Sequence, residues 1–446
     1  MIQRPRGTRD FAPDEMEKRR YIESLMRKEA EIFGFREIAT PIFEHAELFT
    51  IKSGPGILEE MYAFKDKGGR ELTLRPELTA PVMRFFVNEL TDMPRPLKLY
   101  YMGPCFRYER PQSGRFREFY QFGAELIGAK NPESDAEIIS LASSIMKKIG
   151  LRDYKVRIGH IGILRDILRK EGVEGENASL ILQKLDKKMY DEARVVMEEK
   201  GMSEASIKEI IGITKISGQQ SVLKELQSFK GEAKEYLSQV IEILEILGIE
   251  NLLVDLGVVR GLDYYTGVVF EIEVPSLGAE KQVCGGGSYS LAELFGGEKV
   301  FSTGFAIGFD RTLIALEKQK IEIPKKRVDV YVIPLTEELR GKAFEITARL
   351  RSNEISTDVD LMRRSLQKNL KYAASIGVRY AIILGEREME KNIVLLRDMD
   401  TGEQVPIAIT ELTEWLAHAR GIAPEAAGGD TKKRLGGKLS RPSDAS

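Results

Sequence analysis

A chain of 446 residues is longer than one hydrophobic core usually organises, so two or three domains are expected. Its apolar share of 42% suits a globular protein, and 67 basic against 69 acidic side chains leave a formal charge of −2. That balance excludes a global electrostatic pull toward nucleic acid, so any RNA contact must come from local patches. Cys105 and Cys284 stand far apart without Cys or His neighbours at ligand spacing, which argues against a disulfide framework or a structural zinc site. The opening MIQRPRGTRDF has no apolar stretch after its basic residues, and no run of eighteen apolar residues occurs. The expectation is a protein of the reducing cytoplasm, neither secreted nor membrane-spanning.

Along the chain, Ile22, Leu25, Met26 and Phe33 recur at helical spacing after Pro13 and Asp14, with Gly34 as the stop, and predict an amphipathic first helix. Tyr62 and Phe64 before Lys67-Gly68-Gly69, with Leu72 and Leu74 after it, predict a hairpin. Further strands are expected at Lys98–Met102, Cys105–Glu109 and Glu118–Ile127, with a loop at Pro111–Gly114. Closely spaced strands with few helices between them indicate an antiparallel sheet.

From about 172 to 248 the texture turns helical, with Ile181, Leu185 and Met189 assigned to one face and Leu237, Ile241 and Leu244 to another. This reads as an insert splitting the first domain. Strand patterns return at Leu252–Leu256 and Val268–Val274, followed by a glycine-rich turn and a helix starting near Gly308. After Pro324-Lys325-Lys326-Arg327 the order becomes α/β: strand Val328–Ile333, helices from Thr336 and around Leu366–Ala374, strands Tyr380–Leu384 and Ile393–Leu396. The expected organisation is an α+β multidomain chain: 1–325 with its insert, an α/β domain at 326–420, and a mobile tail at 421–446.

Three clusters carry chemistry. On the strand ending in Phe106-Arg107-Tyr108-Glu109, Arg107 and Glu109 share a face, and on the next strand Gln121, Gly123 and Glu125 do. Gly123 leaves room between two polar side chains that offer donors and acceptors to a small polar ligand. Glu77 and Thr79 supply a similar acceptor pair, while Arg107, Arg110, Arg115 and Arg117 suit phosphate because a guanidinium keeps its charge and donates in a planar fork. Taken singly, Arg107 or Glu109 also fits a solvated sheet face laced with ion pairs. The second cluster is Arg260-Gly261-Leu262-Asp263-Tyr264-Tyr265 with Cys284-Gly285-Gly286-Gly287-Ser288-Tyr289, where three glycines allow either a close ligand approach or a plain tight turn. The third, Thr303–Arg311, joins a glycine-spaced strand to a helix start and puts Arg311 where an anion would meet backbone N–H groups.

Several motifs are decoys. His160-Ile161-Gly162-Ile163 lacks the second histidine of the HIGH signature, and no KMSKS-like segment follows. The triple glycine lacks the spacing of a dinucleotide fingerprint, and no Gly-Lys-Ser/Thr phosphate loop occurs. His45, His160 and His418 are the only histidines, none beside a nucleophile or metal partner, and each is read as structural. No metal ligand is assigned.

Taken in order, these segments resemble the histidyl-tRNA synthetase family over nearly the whole chain, from Arg6-Gly7-Thr8-Arg9-Asp10-Phe11 to the C-terminal α/β domain. Pro41 looks like the proline of the class II first motif, Phe106-Arg107-Tyr108-Glu109 like the second, and Gly308-Phe309-Asp310-Arg311 like the third. The histidine-specific resemblance lies in Arg260–Tyr265 and in the Gln121, Gly123, Glu125 ladder. The resemblance implies an antiparallel-sheet catalytic domain, a C-terminal anticodon-binding domain and a homodimer. It implies that Arg107, Glu109, Arg115 and Arg311 hold ATP, with Arg107 on the α-phosphate and Arg311 along the γ-phosphate. Glu77, Thr79, Gln121, Glu125, Tyr265 and Tyr289 would surround histidine, Arg260 would lie beside the reacting carboxylate, and Gln112 and Arg117 would meet the acceptor end of tRNA(His). ATP as substrate and Mg2+ are implied with it.

One departure is visible. Most of the family carries Gly-Gly-Arg-Tyr-Asp where this chain has Gly286-Gly287-Ser288-Tyr289-Ser290, so only Tyr289 transfers, a variant resembling archaeal members. Two other functions compete: a synthetase-like regulatory subunit of ATP phosphoribosyltransferase, and a class II synthetase for another amino acid. The α/β domain and the retained motif arginines weigh against the first. The Arg260–Tyr265 segment weighs against proline and glycine enzymes, and the lack of zinc ligands against a threonine enzyme.

Overall fold

The computed structural model describes residues 2–53, 55–108, 116–219, 231–258, 265–325 and 327–419. Two compact units emerge, Met1–Pro324 and Lys325–Ser446. Among the described residues no helix is long and apolar enough to cross a membrane.

The first unit begins with α1 (Pro13–Ile32), which has Pro13 in its opening turn, buries Ile22, Met26 and Ala30, and stops at Gly34 with φ 78°. Next come β1 (Arg36–Glu37), β2 (Phe43–His45), α2 (Glu47–Ser53), β3 (Tyr62–Lys65) and β4 (Glu71–Leu74). The expected hairpin is β3–β4, and β2 pairs with the other edge of β4. The chain continues through α3 (Thr79–Phe85), β5 (Leu97–Phe106), β6 (Glu118–Ile127), α4 (Pro132–Lys148), β7 (Lys155–His160) and α5 (Ile161–Lys170). The helical stretch follows as α6 (Gly175–Asp186), α7 (Tyr190–Glu199), α8 (Glu204–Ile213), the short β8 (Ser217–Gly218) and α9 (Glu232–Ile246). The unit closes with β9 (Leu252–Asp255), β10 (Tyr265–Glu273), β11 (Gln282–Tyr289), β12 (Ser302–Gly308) and α10 (Phe309–Lys318).

Among the described residues, nine strands form one sheet in the order β1-β5-β6-β12-β11-β10-β7-β9-β8, antiparallel except where β1 meets β5 and β7 meets β9. Alternation decides what each face does. Phe122, Ala124 and Leu126 of β6 join α1, α4 and the later helices in the main apolar cluster. Their neighbours Gly123 and Glu125 turn to the opposite face, where Val82 and Met83 of α3 pack with Tyr101, Tyr265 and Tyr289. The polar ladder therefore lies on the face away from the main helical layer.

Four sequence expectations need correction. The two strands expected at 98–102 and 105–109 are one strand, β5, which runs through Gly103 and Pro104. Proline is tolerated there because β1 covers β5 only at Leu99 and Tyr100, and beyond them the Arg75 guanidinium occupies that flank and donates to the Pro104 carbonyl at 2.8 Å. The glycine-rich turn is no turn: Gly285, Gly286 and Gly287 lie inside β11 between β10 and β12, and a Cβ on Gly286 would collide with the Gly304 carbonyl. The seventeen-residue α4 was not foreseen. Met189 does not continue the α6 face, since the helix ends at Asp186 and Lys188 adopts φ 57°.

The second unit runs β13 (Val330–Pro334), α11 (Arg340–Ser352), β14 (Thr357–Val359), α12 (Leu366–Ser375), β15 (Tyr380–Leu384), α13 (Glu386–Glu390), β16 (Ile393–Asp398), β17 (Gln404–Ala408) and α14 (Leu412–Ala419). Its five strands are ordered β14-β13-β15-β16-β17. Val330 and Val332 pack toward α11 and α14, while Tyr331 and Ile333 pack toward α12, so helices cover both faces of a mixed sheet.

Candidate active site

The site is built on β5, β6, β11 and β12 where their outward face meets α3. Glu125, at 1% exposure, is its most deeply buried acid. Opposite it in register stands Gly304, whose missing Cβ is the space the carboxylate occupies. The Tyr289 hydroxyl donates to Glu125 Oε2 at 2.6 Å and the Tyr101 hydroxyl to Oε1 at 2.8 Å. Burial pushes the Glu125 carboxyl up to about 7, against the downward pull of the Tyr289, Tyr101 and Thr79 hydroxyls. Burial likewise drives the Tyr101 phenol well above its ordinary value.

Gly123 has a different use from the one its spacing suggests. The Tyr101 ring fills the room beside it, 2.5 Å from where a Cβ would stand, so the ladder has an aromatic rung between Gln121 and Glu125. Gln121 is half-buried, and its Oε1 accepts from the Cys105 thiol at 3.4 Å. Burial raises that thiol to about 12 despite the nearby Arg75 and Arg107 charges, which leaves it a packing group rather than a nucleophile.

Glu77 caps α3, accepting from the Thr79 and Ala80 backbone N–H groups at 2.7 and 3.0 Å. Arg107 continues the face beyond Cys105; its Nε donates to the Pro76 carbonyl at 3.0 Å and its guanidinium stands 5.3 Å from the Phe119 ring. Arg311 lies in the first turn of α10, three residues after Gly308, which pairs with Gln121, and its Nη1 donates to the Gln282 carbonyl at 2.9 Å. Arg117 stacks 4.2 Å over Tyr108. Tyr265 is buried and sits directly opposite Tyr289 in register. Glu77, Thr79, Gln121, Glu125, Tyr265 and Tyr289 thus converge on one face, with Arg107 at its β5 end and Arg311 beside its β12 end. Glu109, Gln112, Arg115 and Arg260 lie outside the described residues.

Sequence reasoning missed three residues. Tyr101 could have been found from the alternation of Leu97, Leu99, Tyr101 and Cys105, which share its face. Arg75, buried to 4% exposure, ties Thr40 and Pro41 to β5 through their carbonyls at 2.8 and 3.1 Å. The third is Asp310, treated below. Ser288 also gains an explanation. Its hydroxyl bonds Asp135 of α4 at 2.8 Å and accepts from the Val268 N–H, so it faces the helical layer, opposite to Tyr289. The Tyr236 hydroxyl from α9 bonds the same Asp135 at 2.9 Å.

The sequence profile described as Histidyl-tRNA synthetase matches residues 7–312, and that of an Anticodon binding domain matches 329–418. The chain belongs to the histidyl-tRNA synthetase family. A histidine–tRNA ligase from Archaeoglobus fulgidus is 49% identical over 411 residues, covering 92% of this chain and 98% of the relative. The apo histidyl-tRNA synthetase of S. aureus superposes with a TM-score of 0.71 at 31% identity, covering 93% of this chain and all of that one. The histidyl-tRNA synthetase of Nostoc sp. gives 0.79 at 25%, with 94% and 99% covered. The first unit therefore has the class II catalytic fold and the second the anticodon-binding fold of this family.

Proposed function

We propose that this chain is an ATP-dependent histidine–tRNA ligase: it activates histidine to histidyl-adenylate and transfers the histidyl group to the terminal ribose of tRNA(His). The observation that carries this reading is the Tyr101–Glu125–Tyr289 cluster, a buried acceptor site beside a pair of arginines. Acceptors suit the substrate's ammonium and imidazole N–H groups, and guanidiniums suit its nucleotide partner. Histidine would lie over Glu125, Gln121, Tyr265 and Tyr289, with Glu77 and Thr79 at its amino end.

The reaction is an adenylyl transfer followed by an acyl transfer. The histidine carboxylate attacks the α-phosphorus of ATP and expels pyrophosphate, and the tRNA hydroxyl then attacks the adenylate and expels AMP. Neither step requires a protein nucleophile, only positioning and charge stabilisation. Arg107 and Arg311 supply charge at the two ends of the triphosphate, Arg115 adds a further cation for ATP, Glu109 accepts from the adenine amino group, and Arg260 serves the carboxylate and α-phosphate. Mg2+ accompanies the nucleotide, since this small hard cation is usually held by substrate phosphates and one or two carboxylates.

The second unit would read the anticodon and the segment with Gln112 and Arg117 would meet the acceptor end. A hollow of about 570 Å³ at the starts of β13–β15 is lined by the cations Lys325, Arg327, Arg351 and Arg379 against the acids Asp329 and Glu354, and this excess of positive charge suits an anionic partner for this unit. A homodimer fits the apolar Phe43 and Phe64, 55% and 43% exposed on one face of the β2-β4-β3 sheet next to Pro41. Its proposed location is the cytoplasm.

The deciding experiment is amino-acid-dependent ATP–pyrophosphate exchange over a panel of amino acids, followed by charging of tRNA(His). Exchange with histidine alone is expected. Exchange with another amino acid, or none, would overturn the reading.

A further inference from the structure

Asp310 directly precedes Arg311 at the start of α10 and is only 4% exposed. Its Oδ1 accepts from Arg9 at 2.5 Å and from Arg19 at 2.6 Å, and its Oδ2 accepts from the Tyr120 N–H at 2.7 Å. Two guanidiniums thus share one carboxylate. Aromatic faces carry the surplus charge: Arg9 lies 3.5 Å over Phe116, and Arg19 lies 4.1 Å over Phe11 and 4.9 Å over Phe309. One acid therefore joins the N-terminal segment, α1, β6 and α10.

A second line of contacts leads from the same segment to Arg107. The Gly7 carbonyl accepts from the Arg117 N–H at 2.9 Å, and the Arg117 carbonyl accepts from the Arg107 N–H at 3.0 Å. Gly7 adopts φ 86° and a Cβ there would stand 2.7 Å from the Arg117 side chain, so only glycine lies this flat against it. Arg107 is held through Arg117 and Gly7, and Arg311 through Asp310 and Arg9, two residues along the same strap.

We infer that Arg9 and Asp310 are positioning residues that set the separation of Arg107 and Arg311, with residues 7–11 as the strap between them. The inference rests on the reading above, in which these two arginines serve the two ends of ATP. A triphosphate has a limited span, so guanidiniums at its ends must keep a matching distance. Misplacing an oriented group by about 1 Å can cost on the order of a hundredfold in rate.

The test uses the full chain with Arg9→Ala, Arg9→Lys and Asp310→Asn. Asp310→Asn leaves the buried Arg19 and the partly buried Arg9 without a counter-charge and can fail to fold. Arg9→Ala instead leaves a balanced Arg19–Asp310 pair and a folded chain. In ATP–pyrophosphate exchange, Arg9→Ala is expected to raise the Michaelis constant for ATP and lower kcat/KM for ATP on the order of ten- to a hundredfold. The Michaelis constant for histidine stays put. Arg9→Lys recovers part of the loss, because it keeps the charge without the fork. A lowered thermal midpoint with unchanged ATP kinetics well below it would make the hub purely structural and overturn the inference. So would parallel losses for ATP and histidine, the mark of general loosening. Absence of exchange by the unaltered chain would instead remove the functional reading itself.

Discussion

The Tyr289 hydroxyl reaches Glu125 from β11 while the Tyr101 hydroxyl reaches it from β5, so one carboxylate is held by donors from both sides of β6 and β12. Removing one donor should loosen the acceptor site without emptying it. Tyr289→Phe is expected to weaken histidine binding by about 1–3 kcal/mol, roughly 5- to 150-fold, with little change for ATP. Michaelis constants for both substrates in pyrophosphate exchange check this; an effect confined to ATP would detach the cluster from histidine.

Glu125 also predicts a pH dependence. Its carboxyl, raised from 4.5 to about 7, keeps a proton that the unfolded chain gives up, so its contribution to stability is full below pH 4.5 and fades as pH climbs through 7. Histidine recruits the ionised form, and its affinity should rise from pH 6 to 8. The substrate's own imidazole titrates in the same range, so the comparison is with Glu125→Gln, in which the protein's part of the profile should vanish. Identical profiles would contradict the assignment.

Gly304 should not tolerate a side chain. A Cβ would overlap Glu125 Oε2 and lie 2.7 Å from the Ala124 carbonyl oxygen, with backbone on one side and the buried acid on the other. Gly304→Ala is expected to cost about 1–3 kcal/mol through overpacking and to suppress histidine activation. Urea unfolding and exchange measured on the same sample would show both; full activity with an unaltered midpoint would refute the close approach.

His160 opens α5, its Nδ1 accepting from the Gly162 N–H at 3.1 Å, and burial lowers its pKa from 6.5 to about 4. Below pH 6.5 the unfolded chain takes a proton that the fold refuses until about 4, so stability from this group is present above 6.5 and lost as pH falls. His160→Asn preserves a capping acceptor but does not titrate. The variant should lose less stability than the parent between pH 7 and pH 5 in urea titrations. A steeper or equal loss would rule this out.

Dividing the two units should separate the two half-reactions. Ile321 and Ile323 pack against the first unit's core, so the cut belongs after Pro324 rather than after α10. The chain ending there is expected to make adenylate but to charge tRNA poorly. Unimpaired charging would remove the anticodon role of the second unit.

Local patterns exposed much of this fold. α1, the β3–β4 hairpin and β6 were legible because their apolar spacing or turn residues had one reading. α4 was not, because it is covered on most sides: Ala136, Ile138, Ile139, Leu141, Ala142, Ile145 and Met146 are all buried, which leaves only a narrow polar stripe of Glu133, Glu137, Ser144 and Lys148. Its start was nonetheless written in Asn131-Pro132, where Asn131 caps the Ser134 N–H at 2.9 Å. The site shows the same division. Gln121, Glu125 and Tyr289 could be placed on faces by alternation and resemblance, whereas Arg9, Arg19 and Asp310 meet across some 300 positions of sequence, a distance on which period carries no information.

The helices between β7 and β9 hold a final consequence. Ile181, Leu185, Met197 and Ile207 lie in the same apolar cluster as Val156, Ile158 and Phe270 of the sheet. An appendage with its own core would melt by itself; a shared core makes melting cooperative. Calorimetry of the first unit should therefore show one transition, and Leu185→Ala should speed amide exchange in β10 as well as in α6. Slack introduced among these helices would be felt along the strand that carries Tyr265.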